Sequence, residues 1–191
     1  MYSQQQNTTE LLAEGLKFDA DGFSYLANKC YNEVLSMVPH NTKDWINRGH
    51  AYELAGGSAY YDDAIKAYDE ALILDPKCVE AWLAKGEDLD MQGLYYSNGT
   101  SSKCSEAFQC YVQATKLDPS NVNAWNGKAN ALSCMGKDNE SLKAYDEALK
   151  LAPKDATLMY NKAGVLSDMN RTTESDALLA RAAELDPGHN L

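Results

Sequence analysis

The sequence predicts an all-α protein built from five consecutive pairs of antiparallel helices. The first observation is a repeat: the hexapeptide AYDEAL occurs at 67–72 and again at 144–149, a few residues before a proline each time. The second is a recurring tryptophan, followed by an apolar run that ends in Leu-Asp-Pro or Leu-Ala-Pro. These landmarks pair Trp45 with Pro76, Trp82 with Pro119 and Trp125 with Pro153. The chain is therefore predicted to be an array of similar units.

Each unit is predicted to contain two amphipathic helices. Apolar and small residues recur in it at three- and four-residue spacing over two stretches. Gly56, Gly93 and Gly136 are expected to end first helices, and the prolines to end second helices. The units are 8–41, 42–78, 79–121, 122–155 and 156–189, in one domain between a flexible N-terminus (1–7) and a two-residue tail (190–191).

The recurring spacing within the units resembles that of the tetratricopeptide repeat family. The second unit reads Trp45, Gly49, Tyr52, Ala64, Tyr68, Ala71, Pro76, and the fourth reads Trp125, Ala129, Leu132, Ser141, Tyr145, Ala148, Pro153. The resemblance implies a right-handed α-solenoid. Small first-helix residues such as Gly49 are expected to let the paired helices approach closely, and the tyrosines of the second helices are expected to fill the core.

Two units are longer than the others because residues are inserted between their helices. The second unit carries a short insertion at 57–63, and the third carries nine extra residues within 94–106. Both insertions should emerge at the same edge of the stack. Each contains a tyrosine pair, Tyr60 with Tyr61 and Tyr95 with Tyr96. The four aromatics are either an exposed edge patch for binding or, as we favour, extensions of the adjacent helices that pack locally.

The charge and the composition narrow the classes of partner. A net charge of -11 repels phosphate backbones and anionic lipids, which argues against nucleic-acid and membrane partners and favours a basic or neutral polypeptide. The chain has no secretory leader pattern and no apolar run of about 18 residues, so we expect a cytoplasmic protein. The five cysteines form no CxxC pair and are expected to be reduced.

No combination of residues suggests catalysis. His40, His50 and His189 are scattered, and none has metal-ligand spacing to a cysteine or another histidine. A glycine-rich phosphate loop is also lacking from the sequence. We therefore expect a non-enzymatic protein without a metal ion or cofactor.

The resemblance implies that the first helices line a concave groove that binds a peptide. The groove-facing candidates are Lys43, Asn47, His50, Glu80, Glu87, Asp90, Asn123, Asn126, Asn130, Ser133, Tyr160, Asn161 and Asp168. This set is acidic in its middle and rich in amides towards the C-terminus. An amide can both donate to and accept from a peptide backbone. The alternative is that these asparagines are ordinary surface residues.

Two known uses of the groove can be compared with these positions. The basic residues that would grip a C-terminal carboxylate are replaced by Leu12, Leu16, Glu80, Ala84 and Glu87. An asparagine ladder of the kind that holds a peptide backbone is matched only by Asn47 and Asn161. The sequence thus predicts a non-catalytic binding scaffold without a carboxylate clamp.

A second functional hypothesis is self-association. Repeat stacks usually need a polar terminal cap, whereas Leu178, Leu179 and Leu185 have no following helix in the sequence. An assembly protein that joins copies through its stack ends or its tyrosine-containing edge loops is therefore the alternative to groove binding.

Overall fold

The structure is a computed structural model that describes residues 7–56, 60–95 and 101–186. Within these ranges ten α-helices follow one another and no strand occurs, which confirms the predicted all-α array of helix pairs. No helix in the described ranges is long and apolar enough to cross a membrane. The chain divides into two compact units, Met1–Tyr95 (unit 1) and Tyr96–Leu191 (unit 2). The division falls in the insertion of the third repeat, so the single domain of the sequence analysis stays a prediction.

Unit 1 contains two complete helix pairs and the first helix of the third repeat. Its helices are α1 (Thr8–Ala20), α2 (Ser24–Ser36), α3 (Thr42–Gly56), α4 (Tyr61–Leu74) and α5 (Val79–Tyr95). Each helix packs on its neighbour in sequence, and α1 also packs on α3. An Asn7–Glu10 capping box begins α1, where it satisfies backbone groups that an isolated helix end leaves unpaired.

Unit 2 contains the second helix of the third repeat and two complete pairs. Its helices are α6 (Ser101–Leu117), α7 (Val122–Cys134), α8 (Asp138–Leu151), α9 (Ala156–Asp168) and α10 (Thr172–Leu185). Sequential neighbours again pack together, and α7 also contacts α9. The side chains of Asn121 and Asp155 cap α7 and α9 by accepting a backbone N–H of the first turn.

The repeated tyrosines form the centre of the core, as the sequence predicted. Tyr31, Tyr68, Tyr111 and Tyr145 are the largest fully buried side chains. Three of them pack directly against a first-helix glycine: Tyr31 on Gly15, Tyr68 on Gly49 and Tyr111 on Gly127. A methyl group at any of these glycines would overlap the ring. Glycine is therefore required by the close approach of the helices.

We expect Gly49→Ala to destabilise the protein by about 1–3 kcal/mol, because the new methyl group must displace the buried Tyr68 ring. Gly164→Ala is the matched control, since no atom lies within 4 Å of its added Cβ. The control should gain up to about 1 kcal/mol from the higher helix propensity of alanine. Urea denaturation of the two variants measures both changes, and a Gly49→Ala protein as stable as the wild type would contradict the packing.

The tryptophans bridge consecutive repeats. The Trp82 indole Nε1 donates to the Pro76 carbonyl at 3.0 Å, and Trp125 Nε1 donates to the Pro119 carbonyl at 2.9 Å. Their rings are half-buried beside the core of their own unit. The recurring Trp and Pro thus join the end of one repeat to the first helix of the next.

The third repeat departs from the predicted helix boundaries. Gly93 was expected to end its first helix, but α5 continues to Tyr95. Helices α5 and α6 are each 17 residues long, against 13 to 15 for the other eight helices. Both ends of the insertion therefore extend the adjacent helices, whereas local packing of Tyr95 and Tyr96 stays a prediction. Its centre, 96–100, lies outside the described residues.

The expectation of five reduced cysteines is wrong. Cys104, in the first turn of α6, forms a disulfide with Cys134, the last residue of α7, and their Cα atoms are 6.0 Å apart. Cys30, Cys78 and Cys110 are free thiols. An odd number leaves one cysteine unpaired, but it does not prevent a single disulfide between two helices that lie side by side.

Candidate functional site

The first-helix residues of unit 1 form a connected polar face. Lys43 Nζ lies 2.7 Å from Glu80 Oε1, and this oxygen is also 3.9 Å from His50 Nε2. Glu87 is exposed and Asp90 is half-buried on the same helix as Glu80. The structure thus brings Lys43, His50 and Glu80 together, and three of the six predicted groove residues of α3 and α5 are carboxylates.

Asn47 is the exception among the predicted residues of unit 1. Its side chain is buried, and its amide nitrogen donates to the Thr8 and Thr9 hydroxyls at 3.0 and 2.8 Å. The amide therefore ties α3 to α1 and is not presented to a ligand. The sequence offered no signal for this, because the threonines lie in a different repeat.

A buried acidic cluster lies beneath this face. The Tyr68 hydroxyl donates to Glu53 and lies 3.1 Å from His50 Nδ1, which is 3.4 Å from the second oxygen of Glu53. Asp88 joins them from α5 with only 4% of its surface exposed. Burial, together with the neighbouring carboxylates of Glu53 and Glu87, raises the pKa of Asp88 to about 8. Partial desolvation and the carboxylate of Glu53 also raise the pKa of Glu87, although its side chain reaches the surface.

Glu53 and Asp88 were not among the residues predicted from the sequence. A usable signal existed for Asp88, which occupies the tenth position of its repeat. Ala51, Ala131 and Val165 occupy that position in three other repeats and are buried, whereas Lys17 occupies it in the first repeat and is exposed. A buried carboxyl group at a position that is apolar in three repeats is an unusual placement.

Unit 2 contains a cleft of about 370 Å³ between its first helices. Five predicted groove residues line it: Asn130, Ser133, Tyr160, Asn161 and Asp168. The sequence analysis did not assign the remaining lining residues, which are Cys134, Tyr145, Gly164 and Val165. The structure therefore brings these five predicted residues to one cleft, and their role in binding stays a prediction.

Hydrogen bonds orient the amides of unit 2. The Asn130 side-chain oxygen accepts from the Tyr145 hydroxyl, and Asn161 Nδ2 donates to Asn126 Oδ1 at 3.2 Å. These contacts occupy the oxygen of Asn130 and the nitrogen of Asn161. In the described part of the chain, the Asn130 nitrogen and the Asn161 oxygen have no partner. One donor and one acceptor are therefore free to bind a ligand, and Asn123 lies exposed on the first turn of α7.

The predicted edge patch is only partly described. Tyr60 is 42% exposed and stacks on Tyr52 with ring centroids 6.0 Å apart, whereas Tyr61 is half-buried. The Tyr95 side chain and Tyr96 lie outside the described residues. A binding role for the four tyrosines therefore stays a prediction.

The predicted self-association residues differ in exposure. Leu178 packs against the core of unit 2, and Leu179 is half-buried. Leu185 is 41% exposed. Association of copies through these leucines also stays a prediction.

Comparisons with known proteins identify the repeats. Three family models described as tetratricopeptide repeat match residues 53–95, 122–155 and 156–189, which together are more than half of the chain. The chain belongs to the tetratricopeptide repeat family. In general terms, the tetratricopeptide repeat fold makes it a protein-interaction scaffold.

Solved tetratricopeptide repeat structures are similar to the chain in fold. TTC0263, described as a thermophilic TPR protein in Thermus thermophilus, is 16% identical with a TM-score of 0.75, over 95% of this chain and 93% of that chain. A crystal structure of MamA is 18% identical with a TM-score of 0.69, over 91% and 94% of the two chains. A comparison with curated proteins gives no match. At these identities the likeness shows the fold alone.

Proposed function

We propose that the protein is a non-catalytic scaffold that binds a polypeptide segment on the faces formed by its first helices. The observation that carries the proposal is the amide-lined cleft of unit 2, where Asn130 and Asn161 lie together between α7 and α9. An extended peptide offers one N–H donor and one C=O acceptor per residue. The free acceptor of Asn161 and the free donor of Asn130 match those two groups.

The shape of the cleft supports a peptide backbone as the ligand. Gly164 lies in its lining, is exposed, and has open space within 4 Å of the position a Cβ would take. A backbone can therefore approach α9 closely at this point. The side chains that line the cleft are mostly polar, with the half-buried ring of Tyr160 beside the amides. A lining of hydrogen-bonding groups suits a peptide backbone, which carries donors and acceptors along its whole length.

The charge of the chain favours a basic or neutral segment. Residues 1–95 contain 16 acidic and 7 basic residues, whereas residues 96–191 contain 12 and 10. Unit 1 therefore carries a net charge of -9, and unit 2 carries -2. An acidic segment would meet repulsion at unit 1, and Asp168 adds a negative charge to the cleft of unit 2.

We expect Asn130→Ala/Asn161→Ala to weaken peptide binding about tenfold or more, since it removes two hydrogen bonds worth about 0.5–1.5 kcal/mol each. Peptides are first selected from a display library of random nine-residue segments on the full chain. The dissociation constant of a selected peptide is then measured by fluorescence anisotropy. Asn139→Ala, an exposed asparagine on α8, is the control and should bind like the wild type.

Three other outcomes would place recognition outside the cleft of unit 2. Unchanged affinity in the double variant contradicts binding in the cleft. If deletion of 97–103 then abolishes binding, recognition lies at the edge patch instead. Self-association is favoured if the library yields no binder and light scattering shows oligomers of the wild type but only monomers of Leu185→Glu.

A further inference from the structure

We propose that the acidic cluster of unit 1, formed by Glu53, Glu87 and Asp88, receives one lysine or arginine side chain of the bound polypeptide. This inference rests on the proposed function, because it assigns a side-chain specificity to the peptide that the scaffold binds. The cluster joins α3 to α5 on the face that carries Lys43, His50 and Glu80.

Asp88 has a buried carboxyl oxygen that no donor of the described residues reaches. Asp88 is 4% exposed, and its Oδ2 is buried without a hydrogen-bond partner among the described residues. Buried polar atoms are almost always paired, because an unpaired one loses its hydration without replacement. In its ionised form the carboxyl group of Asp88 therefore receives no donor from the described part of the chain, and it bonds to Glu53 only when it carries a proton itself.

The lysine and arginine side chains of the surrounding helices do not neutralise the acidic cluster. The four lysine and arginine side chains of α3, α4 and α5 all bind elsewhere. Lys43 binds Glu80, Lys66 binds Asp63, Lys85 binds Asp69, and Arg48 donates to the Met37 carbonyl. The groups that face Asp88 from the packed helices are instead Glu53 of α3, Tyr68 of α4 and Glu87 of α5, with His50 beside Glu53 and Glu87. Only His50 among them can carry a positive charge.

The cluster suits a basic side chain better than a metal ion. Glu53, Glu87 and Asp88 in their ionised forms present only acceptors, which ammonium and guanidinium groups match with several N–H donors at once. In the described ranges no group of three or more histidine, cysteine, aspartate or glutamate side chains is arranged to hold a metal ion. A basic side chain therefore fits the cluster better than a bare metal ion does.

Binding of a cation should release a proton. At neutral pH Asp88 keeps its proton and donates it to Glu53, which reduces the repulsion between the two carboxyl groups. A lysine or arginine side chain would replace that proton, which passes to the buffer. Affinity for a basic peptide should therefore rise between pH 6 and about 8.

The test compares peptide selection on three proteins. The random nine-residue library is enriched separately on the wild type, on Asp88→Asn/Glu87→Gln and on Glu70→Gln. The enriched peptides are then sequenced. Glu70 is an exposed acidic residue of α4, so its variant controls for net charge. We expect the peptides enriched on the wild type and on Glu70→Gln to have lysine or arginine at one fixed position. The double variant should lose that preference while it still enriches peptides.

A selected peptide then gives the affinity. Replacement of its basic residue by norleucine should weaken binding to the wild type about tenfold or more, and should have little effect on the double variant. Calorimetry in two buffers with different ionisation enthalpies should show proton release at pH 7 for the wild type alone. This inference would be overturned if the enriched peptides showed no preference for a basic residue, or if the double variant kept that preference. The proposed function would not be affected by either result. Failure to enrich any peptide would overturn both.

Discussion

Removal of the Cys104–Cys134 disulfide is expected to lower the free energy of unfolding by about 3–4 kcal/mol. The disulfide closes a loop between residues 30 positions apart, so it restricts the unfolded chain more than the folded one. It also holds the beginning of α6 beside the end of α7. Loss of so large a contribution should be obvious in a small domain, whose total stability is about 5–15 kcal/mol.

Two measurements check the disulfide. Urea denaturation of Cys134→Ser should show the loss, and a reducing agent should produce a similar loss in the wild type. Cys78→Ser, which changes a half-buried free thiol, is the control and should keep the stability that the disulfide confers. Thiol titration of the unfolded, unreduced chain should count three free thiols. Five thiols and unchanged stability under reduction would contradict the disulfide.

Stability is expected to fall as the pH rises from about 4 to about 8. Asp88 has a raised pKa of about 8 in the folded protein, against 3.8 for an unperturbed aspartate. In this window the unfolded chain releases the proton while the folded protein retains it, so the stabilisation is complete below the unfolded pKa and is lost towards the folded one. We expect a loss of a few kcal/mol, since each unit of pKa shift corresponds to about 1.36 kcal/mol.

Asp88→Asn isolates this contribution. The asparagine keeps a donor for Glu53 but cannot ionise, so the variant should match the wild type near pH 4 and be more stable at pH 8. Its dependence on pH in this window should be correspondingly shallow. Thermal denaturation from pH 4 to 8 measures both curves, with Glu70→Gln as a control of equal charge. A wild-type curve that stays level or rises, or one that Asp88→Asn leaves unchanged, would contradict the buried protonated carboxyl.

The elements that follow from repeat spacing could be predicted from the sequence. The helix pairs, the buried Tyr68 and its contact with Gly49 depend on positions that recur from unit to unit, so one unit informs the others. The same reasoning placed Asn130 and Asn161 on one face of unit 2. Periodicity identifies which residues share a helix face, and in a repeat array neighbouring first helices share that face.

The features that the sequence did not predict depend on contacts between specific side chains in different repeats. Asn47 fits the pattern of a ligand-binding amide, yet Thr8 and Thr9 use its nitrogen internally. Cys104 and Cys134 are not close in sequence, and they meet only because α6 packs on α7. Asp88 departs from its own repeat pattern, and such a departure marks a site whose chemistry differs from that of the core.

Peptide binding in the cleft of unit 2 is tested most directly by a chemical-shift map of the ¹⁵N-labelled full chain, titrated with a peptide selected from the display library. We expect the largest changes in unit 2 to occur in the side-chain amides of Asn130 and Asn161 and in the backbone of α7 and α9. Changes confined to α8 and α10, with both side-chain amides unperturbed, would contradict peptide binding in the cleft between the first helices.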